Sequence, residues 1–387
     1  MEKIKLLVCF NQLLSPKIAS GGDVLSTEIV SKFNFSLKII SPLDTHADLK
    51  SKIKNAKYFS SDNTHIQYMG GFIGGLEILY SYIVRTVKTI FLFPAIGRVD
   101  GLYLTGDFFC NTLPAAIYKI FHPKTKIFCN FFHLNPVPWK RKNRFIYSLT
   151  SLVLQRFSLF IIKLTADHIF VLTSEGKGIL LNLGFKPERI SISGAAVSSD
   201  FRKKYKKDKM STDILYVGRL NKTKGIFDAL VCLKIICQSI PSCKLGVIGA
   251  CTKSDMDIIQ DLLRRFKLNR NFHYFGYVSN EKKIQLMKST PILIAPSYEE
   301  GFGIGILEGI ASGMKVVAYN LPVYKLIFKK YKTYIKYVSI GNTQSMAKEV
   351  CKVLKLKPQN YKLQDVPIWK DISNIQERTI IKNLDLR

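Results

Sequence analysis

The stretch Ala295-Pro296-Ser297-Tyr298-Glu299-Glu300-Gly301-Phe302-Gly303-Ile304-Gly305-Ile306-Leu307-Glu308 decides how this chain reads. The apolar run 291–295 is a buried strand, the glycines that follow make a tight turn, and 303–313 is a helix. Gly301, Gly303 and Gly305 let main chain approach a ligand closely. The start of the helix offers N–H donors to hydroxyl or phosphate oxygens. Glu300 stands at the mouth of that helix, and Glu308 lies one to two turns inside it. A carboxylate in that second place can accept both hydroxyls of a ribose, as the acidic residue of a dinucleotide fold does. The plainer alternatives are a helix cap for Glu300 and a solvated helix face for Glu308, although its neighbours Leu307, Gly309 and Ile310 suggest a buried helix.

Working outward, short β-rich runs alternate with helix-length amphipathic stretches along the whole chain. Strands fit 5–10, 37–41, 65–68, 100–104, 126–132, 168–172 and 189–193, then 213–218, 243–248, 271–275, 291–295, 315–319 and 334–338. Helices fit 22–33, 73–92, 110–121, 142–164 and 174–183, then 224–239, 254–266, 279–289, 303–313 and 342–355. Such alternation predicts an α/β fold with largely parallel sheets covered on both faces. At 387 residues the chain is long enough for two such domains. We read residues 1–197 as an N-terminal Rossmann-like domain and 198–211, with its run Arg202 to Lys207, as a solvated linker. Residues 212–366 form the second Rossmann-like domain. The tail 367–387 is a helix packing back on the first domain. Two doubly wound domains facing across a cleft would bind ligands beyond the carboxyl ends of their strands.

The second domain opens with Asp213-Ile214-Leu215-Tyr216-Val217-Gly218-Arg219-Leu220, a strand ending in Gly218-Arg219, and Lys224-Gly225 follows before the next helix. Two cations and free amides at that place suit a diphosphate without a metal. Two solvated surface cations are the alternative.

Glu300-Gly301-Phe302-Gly303 followed by Glu308, with seven residues between the glutamates, resembles the E-x7-E signature of the group 1 glycosyltransferases (glycosyltransferase family 4). Val217-Gly218-Arg219-Leu220 with Lys224-Gly225 resembles that family's donor-phosphate element. Ala311 to Ala318 resembles the turn and strand that follow, with Lys315 in place of the usual proline. In the first half Ser20-Gly21-Gly22 resembles the family's glycine loop, which approaches the diphosphate. His133 resembles a histidine set beside the donor sugar, and Ser174 a Ser/Thr that otherwise reads as a helix cap. Ala195-Ala196-Val197-Ser198 stands where the family has Asn-Gly-Val-Asp.

The resemblance implies the GT-B architecture and a retaining transfer of a hexose-type sugar from a nucleoside diphosphate sugar. It implies no metal, and no cofactor beyond that co-substrate. Arg219, Lys224, Glu300 and His133 would be the catalytic set. Gly21, Gly22, Gly218, Gly301, Phe302, Gly303, Ile304 and Glu308 would bind the donor.

Lys and Arg number 58 against 28 acids, a formal charge of +30 that draws anions. No zinc spacing, basic helical arm or RNA-recognition signature occurs, so no nucleic-acid partner is expected. A basic nucleic-acid-binding protein and a noncatalytic sugar-nucleotide-binding subunit are the competing readings. The eight cysteines form no C-x-x-C pair and read as free, mostly buried thiols of a reducing compartment. Charges interrupt the apolar stretches 72–96 and 145–164, which argues against a spanning helix and for a cytoplasmic chain. From Phe108 through Ala166 there is no acid, while Trp139, Phe145, Tyr147, Phe157 and Phe160 lie among nine cations, including Lys140, Arg141 and Arg156. That mix suits an anionic membrane surface and a lipid-linked or cell-surface glycan acceptor. Core aromatics under a basic surface are the alternative.

Overall fold

Strand β1 (Lys5–Cys9) is buried along almost its whole length, as befits the middle of a parallel sheet. The computed structural model describes residues 3–13, 21–62, 71–135, 145–206, 210, 212–355 and 366–384. Around β1 lie β2 (Ser36–Pro42), β3 (Ala56–Asp62), β4 (Gly101–Leu104), β5 (Lys126–Phe131), β6 (His168–Val171) and β7 (Ile190–Ile192). All pair in parallel, in the order β3-β2-β1-β4-β5-β6-β7. A second parallel sheet holds β8 (Ile214–Val217), β9 (Leu245–Ile248), β10 (Phe272–Gly276), β11 (Ile292–Ala295), β12 (Lys315–Tyr319) and β13 (Ile335–Val338), in the order β10-β9-β8-β11-β12-β13.

Each sheet reverses its strand order once, between β1 and β4 and between β8 and β11. Connections leave the two strands of such a pair in opposite directions, which opens a crevice at their carboxyl ends. Helices cover both faces because a parallel sheet requires crossovers. In the second sheet their starts are set by short polar caps. Thr252 accepts from Asp255 N, Ser279 from Lys282 N and Asn342 from Ser345 N. One apolar core centres on Leu230, Val247, Ile294 and Val317, the other on Leu7, Leu102, Cys129 and Val171. All eight cysteines are free, with Cys237, Cys251 and Cys351 only half-buried.

The chain divides into Met1–Ala195 with Trp369–Arg387, and Ala196–Ile368. The tail helix Trp369–Asn383 thus belongs with the first sheet, where Tyr103 donates its hydroxyl to Gln376 Oε1 (2.6 Å). Within 198–211 the turn Ser199–Arg202 is part of the second unit, and Phe201 is buried at 1% exposure. A buried aromatic therefore anchors the start of the segment read as a solvated linker. The third strand lies at 56–62, whereas the sequence reading put it at 65–68, outside the described residues. The cap of helix Ser174–Asn182 is Thr173, which accepts from Gly176 N at 3.0 Å; Ser174 is its first helical residue.

Candidate functional site

The reversal between β8 and β11 brings together two segments far apart in sequence. Gly218, Arg219 and Lys224 follow β8, and Pro296 to Gly303 follow β11. Tyr298 N donates to Thr223 O at 2.9 Å, tying the loops together. Gly225 makes this approach possible. Its φ is +72°, and a Cβ there would sit 1.9 Å from Pro296 O. Asn221 accepts from Lys224 N (3.0 Å) and caps the short turn Lys222–Lys224, so helix Ile226–Ser239 starts later than the sequence reading placed it.

Lys224 and Glu300 meet across this junction. Lys224 Nζ lies 2.7 Å from Glu300 Oε1 and also donates to Glu299 O at 3.1 Å. The two side chains are 19% and 20% exposed, so the pair is shielded yet reachable. An ammonium has three donors, and two are occupied here. Ser297 Oγ gives Glu300 Oε1 a further bond of 3.1 Å. Beneath the loop, Tyr216 donates to Arg219 O at 2.9 Å, with Lys224 O at 3.1 Å. Burial first, and the Glu300 carboxylate second, push the Tyr216 hydroxyl well above its usual range, so it remains a neutral donor. Arg219 itself is exposed, and its guanidinium makes no ion pair among the described residues.

Gly301 and Phe302 lead into helix Ile304–Ala311. Gly303 is its N-cap and no side chain caps it; Ile306 N turns back to Gly303 O at 2.9 Å, which leaves the amides of Ile304 and Gly305 for other acceptors. Phe302 turns its ring into the protein, 5.9 Å from Phe328 in an edge-on contact, leaving only its main chain to a ligand. Glu308 is 12% exposed and paired with Lys283 Nζ at 2.6 Å. Lys283 sits on helix Asn280–Ser289. The sequence reading had no place for it, because nothing in the spacing of 280–289 marks which lysine faces Glu308. Among the described residues no three His, Cys, Asp or Glu side chains converge as a metal site would need.

In the first unit, Gly21 and Gly22 open helix Gly21–Val30 beyond the end of β1; Ser20 lies outside the described residues. A Cβ on Gly22 would lie 2.8 Å from the Phe132 ring, which places the helix start against the residue before His133. His133 is exposed, and its carbonyl accepts from Gln155 Nε2 at 2.8 Å. The same Gln155 amide donates to Asp107 Oδ2 (2.8 Å), and Gln155 Oε1 accepts from Asn135 N (2.7 Å). Asp107 follows β4 at the order reversal. Burial pushes its carboxyl up to about 6, against the opposing Gln155 hydrogen bond. Asp107 was not among the expected site residues. Its signal was position: it is the one acid between Asp100 and Asp167. Trp139 and the cations Lys140 to Arg144 lie outside the described residues.

The family model of glycosyl transferases group 1 matches residues 197–365, the span that holds Arg219, Lys224, Glu300 and Glu308. This span belongs to the group 1 glycosyltransferase family. The chain is similar to glycogen synthase from Mycobacterium tuberculosis, 30% identical over 109 residues, which cover 28% of this chain and 26% of that enzyme. The chain thus aligns with about a quarter of that relative's length. An uncharacterized 41.2 kDa protein in the cps region of Klebsiella pneumoniae is 22% identical over 294 residues, covering 72% of this chain and 74% of that one. Among solved structures, Anabaena Alr3699/HepE in complex with UDP and glucose superposes with a TM-score of 0.66 at 15% identity, covering 98% of this chain and 95% of that one. Both units have the Rossmann-like α/β form, and the architecture is that of the GT-B glycosyltransferases.

Proposed function

We propose that this chain is a retaining, metal-independent glycosyltransferase. It moves a hexose from a nucleoside diphosphate sugar to a hydroxyl of a lipid-linked or cell-surface glycan precursor. The observation that carries the reading is the Lys224–Glu300 pair, held at 2.7 Å at the β8/β11 reversal beside exposed Arg219. As the glycosidic bond breaks, negative charge grows on the sugar-linked phosphate. Fixed cations and amides at that oxygen lower the barrier because they need no reorganisation. Arg219, Lys224 and the amides at the start of helix Ile304–Ala311 are those groups. A phosphate drawing on Lys224 frees Glu300 to accept hydroxyls of the donor sugar, and Glu308 accepts those of the ribose. The family resemblance gives His133 to the sugar. The UDP and glucose bound in the Anabaena structure make uridine nucleotides the first donors to try.

The test is thermal unfolding with and without UDP, followed by turnover of labelled UDP-sugars, in the parent chain and Arg219→Ala. A nucleotide that binds the folded state raises the midpoint. Arg219→Ala should lower turnover by roughly 100-fold while weakening UDP by less than about threefold. Equal losses of turnover and binding would remove Arg219 from the leaving-group role. Binding without turnover of any donor would favour a noncatalytic subunit.

A further inference from the structure

The first unit carries an apolar outer surface that its own fold does not use. In helix Gly71–Phe91, the residues Leu76, Tyr80, Ile83, Val87 and Phe91 are 45% to 79% exposed. Their spacing of four, three, four and four places them in one narrow stripe along the helix. Helix Phe145–Thr165 repeats the pattern with Leu149, Val153, Phe157, Phe160 and Leu164, 42% to 66% exposed. Helix Phe109–Phe121 packs against both. At its start Phe108 meets Tyr82 (ring centroids 6.3 Å) and Phe109 meets Phe157 (6.0 Å), so aromatic contacts run from this helix to both long helices. Ten half-exposed side chains at about 100 Å² each come to roughly 1,000 Å², against a few hundred for the largest patch of an ordinary monomer.

Charge says what covers this surface. No acid occurs from Ile78 through Val99 or from Phe108 through Ala166. Arg156 and Lys163 are exposed and fall on the flank of the second stripe, and Arg156 makes no ion pair among the described residues. Glu77, half-exposed beside Leu76, is the one acid along the described part of either stripe, and the second stripe, flanked by cations and free of acids, matches a bilayer interface rich in acidic lipid. A second copy of a chain bearing +30 would be repelled. Among the described residues no helix is long and apolar enough to cross a membrane, so the stripes would lie along the interface. Both long helices connect strands of a parallel sheet and so begin at the edge where β3 and β5 end, the edge that carries Gly22, Asp107 and His133.

We infer that the outer face formed by helices Gly71–Phe91 and Phe145–Thr165 docks this chain on an anionic lipid surface. The inference deepens the proposed transfer to a lipid-linked acceptor, but its test uses neither donor nor acceptor. The full chain is sedimented with phosphatidylcholine vesicles, with and without phosphatidylglycerol at roughly 30 mol%. It should partition onto the acidic vesicles alone and lose that binding as salt is raised. Val153→Glu/Phe160→Glu changes two exposed side chains and should lower partition at least about tenfold, with the unfolding midpoint and UDP response kept. Arg156→Glu should cost roughly tenfold by charge alone. Tyr277→Glu, on the second unit at 72% exposure, should change nothing. Three results would overturn the inference: a parent that ignores acidic vesicles, stripe variants that bind as the parent does, or self-association that the same variants abolish.

Discussion

Replacing Gly225 by alanine tests whether the two loops of the group 1 region really depend on their close approach. The left-handed backbone costs an L-residue about 1–2 kcal/mol. The added Cβ would lie 1.9 Å from Pro296 O and 2.7 Å from its carbonyl carbon, whereas ordinary contact begins at 3.4 Å. The loops must therefore part by roughly 1.5 Å, a shift that removes close contact along the junction. That breaks the 2.9 Å bond from Tyr298 N to Thr223 O, worth about 1 kcal/mol. The total is about 3 kcal/mol. For a unit of this size it lowers the unfolding midpoint by roughly 6–12 °C. Gly313 supplies the control, because its φ is +82° and a Cβ there would meet nothing within 4 Å. Gly313→Ala should show the backbone part alone, a drop of about 2–8 °C and smaller than that of Gly225→Ala. Scanning fluorimetry with a UDP titration reads both effects. Gly225→Ala should also weaken UDP by roughly tenfold, since Lys224 moves with it. Equal midpoint losses in the two variants, or unaltered UDP binding in Gly225→Ala, would refute the argument.

Two further variants probe single side chains. Lys283→Met leaves the Glu308 carboxylate without its 2.6 Å partner; affinity for UDP should fall by about fivefold, while affinity for pyrophosphate, which has no ribose, stays level in calorimetry. Asp107→Asn removes a buried carboxyl. Folded Asp107 keeps its proton to about pH 6, while its ordinary value is 3.8, so the folded chain binds more protons between these limits. The stability given by the neutral form is present below 3.8 and lost as pH rises through 6. Against the parent, Asp107→Asn should therefore gain up to about 3 kcal/mol between pH 4 and pH 7 in urea unfolding. A gap that does not change with pH would show that Asp107 is not held neutral.

The strands that sequence located well are those buried on both faces, such as Ile292–Ala295 and Lys315–Tyr319, whose apolar runs have one structural explanation. Ala56–Asp62 was missed because it is an edge strand, with half its residues facing outward and polar types among them. The glycine-rich turn with Glu300 and Glu308 was legible because local chain geometry dictates its residue types. Its partners were not. That Lys224 lies on Glu300 depends on the reversal of strand order between β8 and β11, and that Lys283 lies on Glu308 depends on which face of a polar helix turns inward. Pairings of that kind are set by tertiary packing, which a single sequence does not encode in its spacing. The same holds for the Gln155 amide, which joins Asp107 to the His133 carbonyl from a helix distant in sequence.

The helix Trp369–Asn383 has a consequence for how the chain is made. The second unit, Ala196–Ile368, is an insertion between two parts of the first. It is translated whole before the last helix of the first sheet. Until the residues around Gln376 emerge, Tyr103, fully buried in the finished fold, has not received the Gln376 oxygen that its hydroxyl meets at 2.6 Å. The half synthesised first is thus the half completed last, and the newborn chain must hold an open seam for the whole time its second half is being translated.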